Sequence, residues 1–354
     1  MNAKIQLLRN RMKAQNLQGM VVSNPTNIKY LTGIEAEGVL LITLRENIYI
    51  TDSRYIEAVN SIITIEDEIL VNDRRHLTQE DYETFFMFCE NVGFEEKYVT
   101  YYDYKTMMHM YKVNLVETEG IIEKQREVKE DEEIENIKEA CSITDRCFEH
   151  LKTYIKIGMT EKEIAFEIER YMKSRGADGN AFDPIVASGP NSSMPHAVPT
   201  DREIEYGDII LLDYGCKYKG YCSDMTRIMF VGAVKDEYKR IYELVLKNNE
   251  NTLRDMKEGA NIKVLTRSIN DDLKIHGQMA MHSPGHGVGL DIHESPIFNT
   301  NVDNLLKANM VVTVEPGVYI TGRFGVRIED TVLITKAACI ALTKSPKEYT
   351  TIRG

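Results

Sequence analysis

The chain has 354 residues, 43% hydrophobic and 28% charged, an ordinary globular composition with room for two domains. Its formal net charge of −12, with no basic run, makes a phosphate backbone a poor partner, so no nucleic acid is expected. No apolar run approaches the ~20 residues that span a membrane, and the N-terminal MNAKIQLLRNRMK lacks an apolar export segment. The six cysteines form no CxxC pair, so the expectation is a cytoplasmic chain with reduced thiols, although Cys216 and Cys222 flank one turn and are close enough in sequence to approach each other.

Ile5, Leu8 and Met12 recur at helical spacing and predict an amphipathic helix over 2–16. Short apolar runs at Gly19–Ser23, Gly38–Thr43 and Ile48–Thr51 read as strands, with Asn24-Pro25 and Gly33 as punctuation between them. DSRYIEAV, from Asp52, reads as a cap followed by a helix. The alternation continues to about residue 118 and predicts a small α/β domain over 1–122. It holds His76 and His109 but no acid–base cluster, so a binding or lid role is expected.

Glu123–Glu133 reads as a charge-rich hinge into a second domain, 123–354. Ile134, Ile137, Cys141, Thr144, Phe148 and Leu151 step by three and four, which predicts a helix. Thr160-x-x-Glu163 is a capping-box signature for another, ending near Gly176. Further helices are expected near 236–257 and 262–276. Strands are expected at 185–188, 208–214, 221–231, 310–315 and 325–335. The second domain is therefore α+β, with helices covering a sheet. GHGVG at Gly285 lacks the Lys-Ser/Thr of a phosphate loop.

The acids in those strands carry the chemistry. Asp213 and Asp224 sit in two apolar strands around Lys217–Gly220, and a turn there pairs residues summing to 437, which sets the two carboxylates side by side. Tyr218-Lys219 is poor chemistry for the two-residue turn this needs. Glu315 and Glu329 are similarly placed about Gly322. Four carboxylates within about 5 Å repel by about 3 kcal/mol per pair at an effective dielectric near 20, tens of kcal/mol in all. Either they do not converge, or they are protonated, or divalent cations sit among them. Two divalent ions balance four carboxylates, and one histidine would complete a donor set suited to Mn²⁺, Fe²⁺, Co²⁺ or Zn²⁺.

The ordered set LLDYG, YCSDMTR, HSPGHGVGLDIHE, VVTVEPGVY and VRIED resembles the M24-type "pita-bread" metallopeptidases, most of all the Xaa-Pro aminopeptidases and Xaa-Pro dipeptidases (prolidases). NPTNIKYLTG and TDSRY resemble that group's creatinase-type N-terminal domain, so the likeness runs from about residue 2 to 345. It implies a C-terminal pita-bread domain behind a smaller N-terminal one. It implies Asp213 on one metal, Asp224 and Glu329 bridging two, and His286 with Glu315 on the other, Mn²⁺ being the favoured ion. His196, His282 and His293 match histidines that bind the scissile peptide, and Arg327 matches an arginine beside the metals. His76, His109, His150 and His276 match no motif and are expected to be structural.

The expected activity is removal of the residue preceding proline by a metal-activated water, with Glu315 shuttling a proton. An aminopeptidase acting on longer peptides is the favoured reading and a dipeptidase its alternative. A methionine aminopeptidase and a metal-free binding relative are further alternatives. Peptides with proline second are the expected partners, and a two-fold homodimer is the default assembly.

Overall fold

The run IILLDY, Ile209–Tyr214, is buried at every position because both of its faces are covered. In the computed structural model, which describes residues 2–64, 68–275, 277–301 and 303–352, Ile210 and Leu212 face one core. The helices Asp131–Tyr154 and Glu161–Ser174 close that core. Ile209 and Leu211 face the opposite core, closed by the helices Asp236–Asp255 and Ile262–Ile275 and by the hairpin Gly317–Arg327. Alternation along the strand therefore puts Asp213 on the second face, near its end.

The chain divides into two compact units, Met1–Arg126 and Glu127–Gly354. Against the expected division between 122 and 123, the helix Glu123–Arg126 stays with the first unit. Gln125 donates to the Lys4 carbonyl at 2.9 Å and Arg126 to Asn27 Oδ1 at 2.8 Å, which ties it there. The charged run read as a hinge is thus folded and partly buried. Lys129 is buried and pairs with Glu294 at 2.7 Å, inside the second unit.

The first unit is a six-stranded mixed sheet in the order 69–73, 47–51, 38–43, 19–22, 91–94, 114–117. Asn24-Pro25 and Gly33, expected as punctuation, bracket a helix, Pro25–Thr32. Asn24 accepts the Thr26 N–H at 2.9 Å, Pro25 takes the first position, and Gly33 closes the helix in the left-handed region.

The second unit holds a four-stranded sheet, ordered 350–352, 225–231, 209–214, 185–188. A five-stranded sheet is ordered 294–297, 286–287, 311–314, 330–334, 339–341. The two meet where Glu329 N–H donates to the Thr226 carbonyl at 3.1 Å. Thr160 forms the expected capping box with Glu163. Two expected strands are broken: 221–231 at Ser223-Asp224, and 325–335 at Ile328-Glu329. His276 lies outside the described residues. All six cysteines are free thiols, and among the described residues no helix is long and apolar enough to cross a membrane.

The Asp213–Asp224 pairing is corrected by the register. Thr226 lies opposite Asp213, and Tyr221 opposite Tyr218. The turn is Lys219-Gly220, both at positive φ, 47° and 80°, the mirror-image geometry that follows the twist of the strands. Asp224 is the diagonal neighbour of Asp213 on the same face, two residues from the directly opposed position. Lys219 is a poor fit for a left-handed position that asparagine tolerates. Lys219→Asn is expected to raise stability by about 0.5–1 kcal/mol, read as a higher urea midpoint at unchanged slope.

Candidate active site

Each acid at the centre lies where a ladder ends or breaks. Asp213 is the last residue but one of its strand, and Asp224 sits in the gap before Met225–Val231. A Cβ on Gly215 would lie 1.8 Å from the Ser223 carbonyl oxygen, so glycine is what lets the segment carrying Asp224 pass this close. Val314 pairs with Asp330 and Gly317 with Arg327, which makes Gly322 the midpoint of both pairings and sets Glu315 across from Glu329.

All nine residues singled out from the sequence line one cavity of about 580 Å³: His196, Asp213, Asp224, His282, His286, His293, Glu315, Arg327 and Glu329. At its floor, ligand atoms of Asp224, His286 and Glu329 lie within 4.8 Å of one another. His286 Nε2 is 3.6 Å from Asp224 Oδ2 and 3.3 Å from Glu315 Oε1. Its Nδ1 faces the Gly287 carbonyl at 3.0 Å, so that nitrogen carries the proton and Nε2 is aimed at the acids. Thr226 Oγ1 donates to Glu329 Oε2 at 2.7 Å, and Arg327 binds Asp213 Oδ2.

This floor is a strongly unfavourable place for uncompensated charge. Burial, then the Asp213 carboxylate, hold Asp224 well above the usual carboxyl range; burial, then Asp224, do the same to Glu329. Burial disfavours charge on His286, but its hydrogen bond to Glu315 and the Asp224 charge outweigh that and push it up to about 9. Burial likewise opposes the Glu315 carboxylate, and His286 more than offsets it, leaving its pKa below the usual value.

The donor set fits divalent cations. Asp213 Oδ1 is buried with no hydrogen-bond partner, the orphaned oxygen that a metal ligand shows when its other atoms are already engaged. Asp213, Asp224, Glu315 and Glu329 supply oxygens, and His286 supplies one nitrogen already held by a backbone carbonyl.

The other three histidines differ. His282 Nδ1 faces the Ser283 carbonyl at 2.8 Å and Nε2 faces the Tyr319 hydroxyl at 2.9 Å. Arg327 donates to that hydroxyl, so Tyr319 donates onward to His282 Nε2, and the ring is neutral with its proton on Nδ1. Burial holds His282 below its ordinary pKa, consistent with that form. His196 is exposed, and its imidazole has no hydrogen-bond partner among the described residues. His293 is exposed and meets the His286 ring edge-on at 4.5 Å. Tyr319 and Thr226 were not singled out from the sequence. Thr226 lies inside the YCSDMTR motif, two residues after Asp224, and that position is the signal that could have found it.

His150 and His109 stand apart. His150 pairs with Glu167 at 2.6 Å and stacks on Tyr171 at 4.4 Å.

A buried, oxygen-rich cation site at the seam of two sheets, ringed by histidines, is the working part of a metallopeptidase. The chain belongs to metallopeptidase family M24, whose model matches residues 135–336, and residues 4–128 match the creatinase/prolidase N-terminal domain. It is 35% identical to the Xaa-Pro dipeptidase from Bacillus anthracis, with a TM-score of 0.93 over 98% of this chain and 99% of that one. It is 32% identical over 355 residues to the Xaa-Pro dipeptidase of Pyrococcus horikoshii, covering 98% of this chain and 99% of that one. The X-Pro aminopeptidase from Thermotoga maritima is 31% identical, with a TM-score of 0.87 over 97% of this chain and all 100% of that one.

Proposed function

We propose that the protein is an Xaa-Pro dipeptidase that uses two divalent metal ions. The reading rests on one observation: nine residues scattered from His196 to Glu329 converge on a single cavity whose floor holds an orphaned, buried carboxylate oxygen. Its likeness to dipeptidases over nearly its whole length supports the dipeptide substrate over the longer peptides favoured from sequence alone. A cavity of about 580 Å³ is within the range that encloses a small ligand.

Asp213, Asp224, His286, Glu315 and Glu329 would hold the metals, Mn²⁺ being the favoured ion and Co²⁺, Zn²⁺ or Fe²⁺ compatible with the same donors. When bound, the ions supply a water acidified to near neutrality and a polarised scissile carbonyl. The side chains do the rest. The nitrogen of the scissile amide must gain a proton to leave as an amine, and in an Xaa-Pro bond that nitrogen is tertiary and offers no N–H of its own to the site. Glu315, whose Oε1 lies 3.3 Å from His286 Nε2 at the cavity floor, is placed to take up a proton and deliver it there. His196 and His293 offer imidazoles at the cavity wall to the peptide and to the charge that develops on it. Arg327, fixed between Asp213 and Tyr319, holds Tyr319 and His282 in one orientation.

The test is turnover of Ala-Pro against Ala-Pro-Ala by metal-free protein reloaded with a single ion. The expected result is rapid release of proline from the dipeptide and little cleavage of the tripeptide. Preferential cleavage of the tripeptide would restore the aminopeptidase reading, and no cleavage of either with any of the four ions would remove both.

A further inference from the structure

His196 sits on the crest of a loop between Pro195 and Pro199, and this loop is unusually well tethered for one with an exposed crest. Its two ends are joined through one side chain, Glu161, which is 0% exposed at the start of the helix Glu161–Ser174. At one end Glu161 Oε1 accepts the Ser188 N–H and the Ser188 hydroxyl, both at 2.7 Å. At the other end Oε2 accepts the Thr200 N–H at 3.0 Å and the Thr200 hydroxyl at 2.7 Å. The Asn191 amide spans both oxygens at 3.1 Å. Arg202 then donates to Ser188 Oγ at 2.6 Å, so that hydroxyl is fixed in direction toward Glu161.

Inside the loop, two further contacts reach the catalytic hairpin. Ser192 Oγ accepts the Gly325 N–H at 2.9 Å, and Arg327 donates to the Pro195 carbonyl at 3.2 Å. A Cβ on Gly325 would lie 2.1 Å from the Ser192 carbonyl, which fixes how closely loop and hairpin pack. The His196 imidazole itself has no protein partner among the described residues, so its position comes from the backbone that carries it.

We propose that Glu161 is a positioning residue for catalysis: a buried carboxylate that latches both ends of the 188–200 loop and so holds His196 against the substrate. This rests on the reading of His196 as a peptide-binding group. A glutamine at this site keeps the shape but turns one acceptor into a donor. It must then present an NH₂ to Ser188 or to Thr200, and one end of the loop is released whichever way the amide turns.

The test compares wild type, Glu161→Gln, Thr200→Val, His196→Ala and the Glu161→Gln/His196→Ala double variant, all metal-loaded. For Glu161→Gln the expected results are faster amide exchange confined to 189–200, unchanged metal content, and a fall of about 10²-fold in kcat/KM on Ala-Pro. In the His196→Ala background the same change is expected to cost at least about tenfold less, because the group the latch positions against the substrate is gone and only the Arg327 contact to the Pro195 carbonyl remains to be disturbed. Thr200→Val removes one hydroxyl from an exposed position and is expected to give the same pattern at several-fold smaller size, which keeps the test open should Glu161→Gln fold poorly. Equal losses with and without His196, or unchanged exchange in 189–200, overturn the proposal. The exchange arm needs no turnover: wild type inactive on every proline peptide would count against the dipeptidase reading, while the latch would still stand or fall on exchange.

Discussion

Glu329→Gln is expected to lower kcat/KM by at least about 10³-fold while making the metal-free protein more stable than wild type. The first effect follows from the metal-ligand role proposed for Glu329: metal ions contribute several kcal/mol at the transition state, and about 4 kcal/mol is a thousandfold. The second separates a metal centre from an ordinary polar core. Without cations, Glu329 is an acid held far above its usual pKa by burial and by Asp224. Its folded-state pKa is raised, so whatever stability it lends is present below the unfolded value of about 4 and is lost as pH rises. Glutamine removes that loss and can still accept the Thr226 hydroxyl at the position of Oε2. Metal-free wild type is therefore expected to weaken as pH climbs from about 4 toward 8, with Glu329→Gln weakening less. Adding Mn²⁺ should reverse the order. A ligand at a hundred times its Kd stabilises by about 2.7 kcal/mol, and the variant should lose most of that gain. Denaturant titrations with and without metal at several pH values check both signs. Equal pH dependence of the two metal-free proteins would show that Glu329 is not charged against its neighbours.

How much of this was legible in the sequence varies with the kind of signal. Periodicity located the helices 131–154 and 161–174, because stripes of Ile, Leu and Phe at three- and four-residue steps, plus a Thr160–Glu163 box, have a single physical reading. Family motifs brought together the residues that line the cavity. Other features escaped. The helix Pro25–Thr32 was hidden because Asn-Pro marks a break and a helix start equally well. The Asp213 register was two residues out, since the turn was sought at Tyr218-Lys219 and the chain instead accepts Lys219 at positive φ to reach Gly220. Tyr319 and Glu161 were invisible for a different reason. Tyr319 closes the VVTVEPGVY motif, but nothing in the motif marks it as a partner, and Glu161 lies inside a capping box that has its own reading; each matters through partners far along the chain, Arg327 and His282 for one, Ser188 and Thr200 for the other. Breaks in strands at Asp224 and Glu329 were likewise unreadable, because β-favouring runs, Met225–Val231 and 331–334, resume directly after them and read as one strand with what precedes.

Arg227→Met is expected to destabilise the fold by about 3–5 kcal/mol, although the side chain does not line the cavity. Arg227 is 1% exposed and lies in the strand that follows Asp224. Its guanidinium donates to Asp330 Oδ1 at 2.6 Å, to the Ser345 carbonyl at 3.0 and 3.1 Å, to the Thr226 carbonyl at 2.9 Å, and to the Glu329 carbonyl. Methionine fills similar volume but takes the guanidinium away from the Ser345 and Glu329 carbonyls, leaves the Thr226 carbonyl with the Glu329 N–H at 3.1 Å, and leaves Asp330 with Lys347 as its remaining cation, at 2.6 Å. Arg227→Lys keeps the charge on a head that cannot span four acceptors, so it should recover only part of the loss. Burial disfavours the Asp330 carboxylate, yet the Arg227 and Lys347 charges outweigh it and hold its pKa below the ordinary value. A lowered folded-state pKa contributes stability that is present above the unfolded value near 4 and disappears as pH falls. Acid unfolding should therefore begin at higher pH in Arg227→Met than in wild type. Since the same guanidinium holds the Glu329 carbonyl, Arg227→Lys should also weaken metal affinity by about 10- to 100-fold, measured by titration of the metal-free protein under conditions where both are fully folded. Stability loss with metal affinity unchanged would confine Arg227 to the fold and detach it from the metal centre.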